Sequence, residues 1–197
     1  MRIEPAEYLG LPLRAHALLA GVPLHDVWRL DLAGGGPGRT VRDLRELLLR
    51  EPLSQANPAV RGLFGLRRAL GRLFGWDEEE SPGRVSAESF VHTLSDADRA
   101  ASLVEPGTPD GPFHTLFADE RESIAEVRNA TVHAFLVYAL HERAGGYRLH
   151  WAVYVRPVSA FTGVYMAVID PFRRWIVYPA VLRHIERAWR REFAGAA

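Results

Sequence analysis

The stretch His133-Ala-Phe-Leu-Val-Tyr138-Ala-Leu-His-Glu-Arg143-Ala-Gly-Gly146-Tyr-Arg-Leu-His150-Trp-Ala-Val-Tyr154-Val-Arg156 decides the fold. Two apolar-rich runs flank Arg143-Ala-Gly-Gly146, a glycine-bearing turn that sets Glu142 opposite Tyr147. Side chains alternate along a strand, so this register pairs Leu140 with Leu149, Tyr138 with Trp151, Leu136 with Val153 and Ala134 with Val155 on one face. The other face carries His141 beside Arg148, Ala139 beside His150, Phe135 beside Tyr154 and His133 beside Arg156. The first face is almost wholly apolar and needs an amphipathic cover. The second is mixed, and its histidines are expected to be exposed on a wet surface.

Downstream, Phe161–Ile169 reads as one more strand, and Gly163-Val-Tyr-Met-Ala-Val-Ile-Asp170-Pro171-Phe-Arg-Arg-Trp175-Ile-Val-Tyr178-Pro179 as the junction between the sheet and a covering helix. Asp170 is placed to cap that helix and Pro171 to fill its first turn. Trp175, Tyr178, Leu182, Ile185, Trp189 and Phe193 then fall at helical spacing, with arginines largely opposite. Pro179 cannot donate to the Trp175 carbonyl, which predicts a kink or break. Upstream, Phe113–Ala118 and Ser123–Asn129 read as strands.

The N-terminal half alternates short periodic stretches with glycine and proline breaks. Residues 5–20 predict a short helix closed by Gly21 and Pro23, and Val27–Leu32 predict a strand. Ala33–Gly38 predict a flexible connector; Arg39 stands where the last glycine of a Gly-x-Gly-x-x-Gly loop starting at Gly34 would fall. Thr40 with Asp43 opens a helix carrying Leu44, Leu47 and Leu48 on one face. Asn57-Pro58 opens another, with an apolar stripe from Val60 to Phe74 and Arg61, Arg68 and Arg72 away from it. Asp77–Gly83 is an acidic break, and Ser86–Leu103 has a faint helical character. The organisation expected is one domain over residues 1–197, with a loop-rich insertion at 77–112.

Composition narrows the chemistry. The chain has 197 residues, 48% hydrophobic, and a formal net charge of zero, which fits a globular protein without long-range attraction to nucleic acid or anionic membrane. All 24 basic residues are arginine, so lysine Schiff bases and a phosphate-loop lysine are excluded. Cysteine is absent, which removes thiolate nucleophiles, disulfides and thiolate metal sites. No apolar run reaches the roughly 18 residues of a membrane span. Together with an N-terminus lacking a basic-then-apolar leader pattern, this makes a cytoplasmic location the expectation.

The order strand, two helices, antiparallel strands and long C-terminal helix resembles the helix-grip fold of the SRPBCC, START and Bet v 1-like superfamily. The pattern Gly163-x-Tyr165-x-x-x-Ile169-x-Pro171-Phe172-x-x-x-Ile176 is similar to the C-terminal signature of an uncharacterised bacterial family, a domain of unknown function. Some members of that family follow a short-chain-dehydrogenase-like domain. The resemblance implies an α+β fold in which a curved antiparallel sheet wraps a long C-terminal helix, with two helices after the first strand. It also implies an apolar cavity between sheet and helix, used elsewhere in the superfamily for lipids, hormones or polyketides, and it brings no catalytic residues.

Such a cavity would be lined by Tyr138, Trp151, Val153, Tyr165, Trp175 and Tyr178, with Glu126 and Arg128 as polar groups within reach. The orientation of Tyr165 depends on the turn at Val158–Phe161. Among the eight histidines, His141 and His150 are diagonal neighbours without an evident third ligand, so no metal is expected, nor any other cofactor. The function expected is binding of a small apolar molecule. The alternatives are a cyclase- or dehydratase-type enzyme using Glu126, Tyr138 or Tyr165, and an accessory interaction module of an oxidoreductase. Oligomeric state is open.

Overall fold

The structure is a computed structural model that describes residues 1–50, 85–129, 132–158 and 161–193, without the side chains of Phe161, Val164, Tyr165 and Val168. The helix expected from Asn57-Pro58, its arginines and the acidic break at 77–83 lie outside the described residues.

Strands β5 (His133–Arg143) and β6 (Gly146–Arg156) pair in the register read from the turn, including Tyr138 with Trp151 and Glu142 with Tyr147. Around them stand β1 (Leu24–Ala33), β2 (Pro109–Asp110), β3 (Phe113–Ala118) and β4 (Glu122–Arg128). The six form one curved antiparallel sheet in the order β1-β6-β5-β4-β3-β2. Among the described residues the helical elements are α1 (Pro5–Leu9), α2 (Ala15–Leu18), α3 (Val41–Arg50), a 3-10 turn (Phe90–Thr93), α4 (Asp96–Ala101), α5 (Phe161–Phe172) and α6 (Tyr178–Phe193). A π-helical turn, Arg173–Val177, joins α5 to α6. Among the described residues no helix is long and apolar enough to cross a membrane.

The apolar hairpin face is covered as expected. Tyr178, Leu182, Ile185, Ala188 and Trp189 of α6 pack with Val41, Leu44 and Leu47 of α3 onto Leu136, Tyr138, Leu149, Trp151 and Val153. Each large side chain buried there contributes on the order of 1.5–3 kcal/mol. Thr40 and Asp43 form the expected box at the start of α3, the Thr40 N–H donating to Asp43 Oδ2 at 2.8 Å.

The mixed face departs from expectation, because it too is buried. Phe135, Val137, Ala139, Ala152 and Tyr154 form a second core with Tyr8 of α1, Ala15 of α2, Leu13, Leu19, Val91 and Leu94. The middle of that face is apolar; only its ends carry histidine and arginine. His133 and His150 are consequently buried, not exposed. Two carboxylates anchor the cover. Glu122 accepts from the N–H groups of Arg14 and, at 3.0 Å, Ala15, where α2 begins. Glu126 accepts from Ser89 Oγ and from the Phe90 N–H at 3.1 Å, and meets His133 Nε2 at 3.0 Å.

Three further elements correct the sequence reading. Residues 161–172 are helical, not a strand. Their aromatic and β-branched side chains favour strands, but buried Thr162 and Met166 with core-packed Ile169 share one helical face, and tertiary packing wins. Asp170 and Pro171 therefore lie inside a helix and do not start one. The connector at Gly34–Gly38 is pinned: the Tyr147 hydroxyl donates to the Gly36 carbonyl at 2.8 Å and accepts from the Arg39 N–H at 2.9 Å. Gly35 has φ +106°, and a Cβ there would come within 2.9 Å of Trp189.

Candidate functional site

Two backbone irregularities face each other across the edge of the first core. On β1 the register with β6 slips between Leu24 and Asp26, leaving His25 as an extra residue. A bulge of this kind re-aims a side chain, and here both His25 and Asp26 come within ion-pair distance of groups on the C-terminal helix. On that helix the π turn follows Pro171 and precedes Pro179, neither of which can donate to the carbonyl four residues back. The wider turn presents Asp170, Arg173 and Arg174 towards β1.

The result is a dense charged cluster. His25 Nε2 lies 2.8 Å from Asp170 Oδ2 and 3.7 Å from Asp26 Oδ2. Arg173 Nη1 meets Asp170 Oδ1 at 3.0 Å, and Arg174 Nη2 meets Asp170 Oδ2 at 3.6 Å. Asp26, only 1% exposed, has Arg2 Nε at 3.3 Å and Arg174 Nε at 3.5 Å from its Oδ1, yet neither of its oxygens receives a hydrogen bond among the described residues. A buried carboxylate with charge partners but no well-made hydrogen bond is costly, and few folds carry one without use.

Beside the cluster an open cleft of about 490 Å³ is lined by Arg2, Trp28, Ala167, Asp170, Pro171, Arg174 and Trp175. Aromatic rings lead inward from it. Trp28 stands 5.4 Å from Tyr178, Tyr178 stands 6.5 Å from Trp151, and Trp151 stands 4.9 Å from Tyr138. The Arg173 guanidinium hydrogen-bonds the Tyr178 hydroxyl, and burial pushes that phenol up to about 12.

Of the residues singled out from the sequence, Tyr138, Trp151, Val153 and Tyr178 come together in the first core, all buried. Trp175 does not join the buried stripe. It is 79% exposed at the rim of the cleft, because the π turn breaks the 3.6-residue spacing that would align it with the face that α6 presents. The Tyr165 side chain lies outside the described residues. Glu126 and Arg128 sit on β4 away from the cleft, Glu126 in the second core and Arg128 paired with Glu88 at 3.2 Å. Burial pushes the Glu126 carboxyl upward, but the bonds from His133, Ser89 and the Phe90 N–H outweigh it and hold the group below the usual carboxylate range. In this set the carboxylate, not the imidazole, stands between serine and histidine, which is not a nucleophile-activating order.

Arg2, His25, Asp26 and Trp28 escaped the sequence reading, and Asp170 was given a capping role. The adjacent histidine and aspartate at the start of a strand were the available signal, but no pattern shows that a bulge turns both towards one partner. His25, Asp26 and Asp170 each offer an atom within 4.8 Å of the others, a spacing a metal ion tolerates. The guanidinium groups of Arg2, Arg173 and Arg174 already supply three positive charges to the two carboxylates, which opposes a further cation. His141 and His150 are in ring contact at 5.5 Å, and burial lowers the basicity of both.

The molecule is thus a mixed α+β protein whose six-stranded sheet carries a charged, aromatic cleft at the bend of its last helix. Over residues 18–180 it matches the protein family of unknown function DUF2867, and it belongs to that family. No curated protein matches the chain. Among solved structures, an uncharacterised protein from Rhizobium leguminosarum is similar at 11% identity, over 84% of this chain and 93% of that one, with a TM-score of 0.33. A likeness that low supports nothing further.

Proposed function

We propose that the protein binds a small, largely apolar molecule between its sheet and its C-terminal helix, entering at the cleft beside Trp28 and Trp175. The observation that carries this reading is the meeting of a β-bulge and a π turn around one buried, hydrogen-bond-poor carboxylate, Asp26. Both kinds of irregularity cost regular backbone pairing and are enriched at functional sites. An exposed tryptophan on the opposite wall adds stacking area that the fold itself does not use. The strand order, with the helix following the last strand, supports the helix-grip reading and a single domain over residues 1–197. A cytoplasmic location belongs to the same proposal.

The test is native mass spectrometry of gently purified protein, paired with a thermal-shift screen of small apolar and amphiphilic compounds. The expected result is a retained small molecule or a set of stabilising compounds, with Trp175→Ala abolishing or sharply weakening the effect. Protein free of adducts and unmoved by the whole screen would refute the reading.

An acid–base enzyme is the second reading, favoured by one contact. Asp170 orients His25 at 2.8 Å, as a carboxylate orients a catalytic imidazole. Glu126, by contrast, is engaged by three partners in the second core.

A further inference from the structure

We infer that the ligand of this cleft is a flat molecule carrying one negative charge, an aromatic carboxylate in its simplest form. This rests on the binding reading above and deepens it. Around the cleft stand Asp26 and Asp170 against Arg2, Arg173 and Arg174, two negative charges against three positive, with His25 adding a fourth positive charge when protonated. The site is therefore one anion short of balance.

The two arginines that line the cleft are not saturated by hydrogen bonds among the described residues. Arg2 makes no hydrogen bond among the described residues and meets Asp26 only through its Nε edge. Arg174 turns Nε to Asp26 and Nη2 to Asp170, and its buried Nε still lacks a hydrogen bond. Both arginines line the cleft, as do Trp28 and Trp175. Asp26 Oδ1 is shared by the two guanidinium groups, 3.3 Å from Arg2 Nε and 3.5 Å from Arg174 Nε, and its charge offsets their mutual repulsion. Guanidinium is matched in shape and charge to a planar carboxylate. Indole faces match a flat apolar body, and the inner aromatic rings continue that apolar surface. A cation would meet the like charges of Arg2 and Arg174, and an uncharged ligand would give their donors no charge-assisted acceptor.

The experiment compares 2-naphthoate, 2-naphthamide and 2-naphthylmethylamine as probes, by calorimetric titration of the full chain. The expected order is carboxylate tightest, amide weaker by about tenfold or more, and amine without measurable binding, since a charge-assisted hydrogen bond contributes roughly a tenfold to hundredfold factor. Arg2→Gln and Arg174→Gln should each weaken the carboxylate about tenfold while leaving the amide unchanged. Arg2 is half exposed, so its variant keeps the test sound if loss of Arg174 beside buried Asp26 unfolds the protein. Trp175→Ala should weaken carboxylate and amide alike. Equal affinity for carboxylate and amide, or tighter binding of the amine, overturns the anion inference and leaves the binding reading standing. Failure of all three probes to bind also overturns the anion inference, whereas the binding reading stands or falls on the adduct and thermal-shift screen above.

Discussion

Glu122 shows how one side chain sets a condition on the whole fold. Burial pushes its carboxyl up to about 7, although the N–H groups of Arg14 and Ala15 work in the opposite direction. An unfolded glutamate titrates near 4.5, so the folded chain holds an extra proton between about pH 4.5 and 7. The contribution to stability is greatest below that window and declines as pH rises through it. Urea midpoints at pH 5 and pH 8 should therefore fall more for the natural protein than for Glu122→Gln, which retains an acceptor for the start of α2 and has no proton to lose. The same pH dependence in both proteins would remove Glu122 as its source.

Among the elements, the Gly34–Gly38 connector gives the sharpest prediction. Gly35→Ala combines a positive φ with a Cβ pressed against Trp189 and Tyr147, and it should lower stability by about 1–3 kcal/mol, read as a drop in thermal midpoint. Glycine there serves packing as well as chain reversal, which composition could not reveal. The hairpin β5–β6 was legible because a turn and a two-residue period determine every facing pair. Helix α5 was not, because its valine, isoleucine and aromatic residues have strand propensity, and only the packing of Met166 and Ile169 into the first core decides otherwise. The π turn and the bulge at His25 have no periodic signal at all. Each is a local break in a pattern, so the candidate site built on them is the least legible part of the molecule, and helical spacing alone puts Trp175 in the buried stripe when it is exposed.

At the scale of the molecule, one sheet supports two cores, and neither can be lost independently of the strands they share. Trp28, Trp151 and Trp189 belong to or pack against the first core, whereas Glu126 belongs to the second face. Glu126→Ala leaves His133, Ser89 and the Phe90 N–H without their common acceptor, and should cost about 3–5 kcal/mol. That loss should appear in full when unfolding is followed by tryptophan fluorescence, coincident with far-ultraviolet circular dichroism. A fluorescence transition that stays in place while the dichroism shifts would mean two separable cores. The second cover was invisible from the strands because α1, α2 and the segment around Val91 reach it from distant parts of the chain.

The little strand β2 has a consequence for solubility. It ends the sheet after two residues, Pro109–Asp110, and proline has no N–H to offer a further strand. At the opposite border, the first residues of the chain lie along β1, with Arg29 N–H donating to the Met1 carbonyl at 2.8 Å and Ile3 N–H to the Val27 carbonyl at 3.2 Å. One margin is thus blunted by brevity, and the other is occupied by Met1–Ile3 along Val27–Arg29. The eleven-residue strands β5 and β6, apolar enough to template stacking between molecules, are kept in the interior of the sheet where no second copy can pair with them.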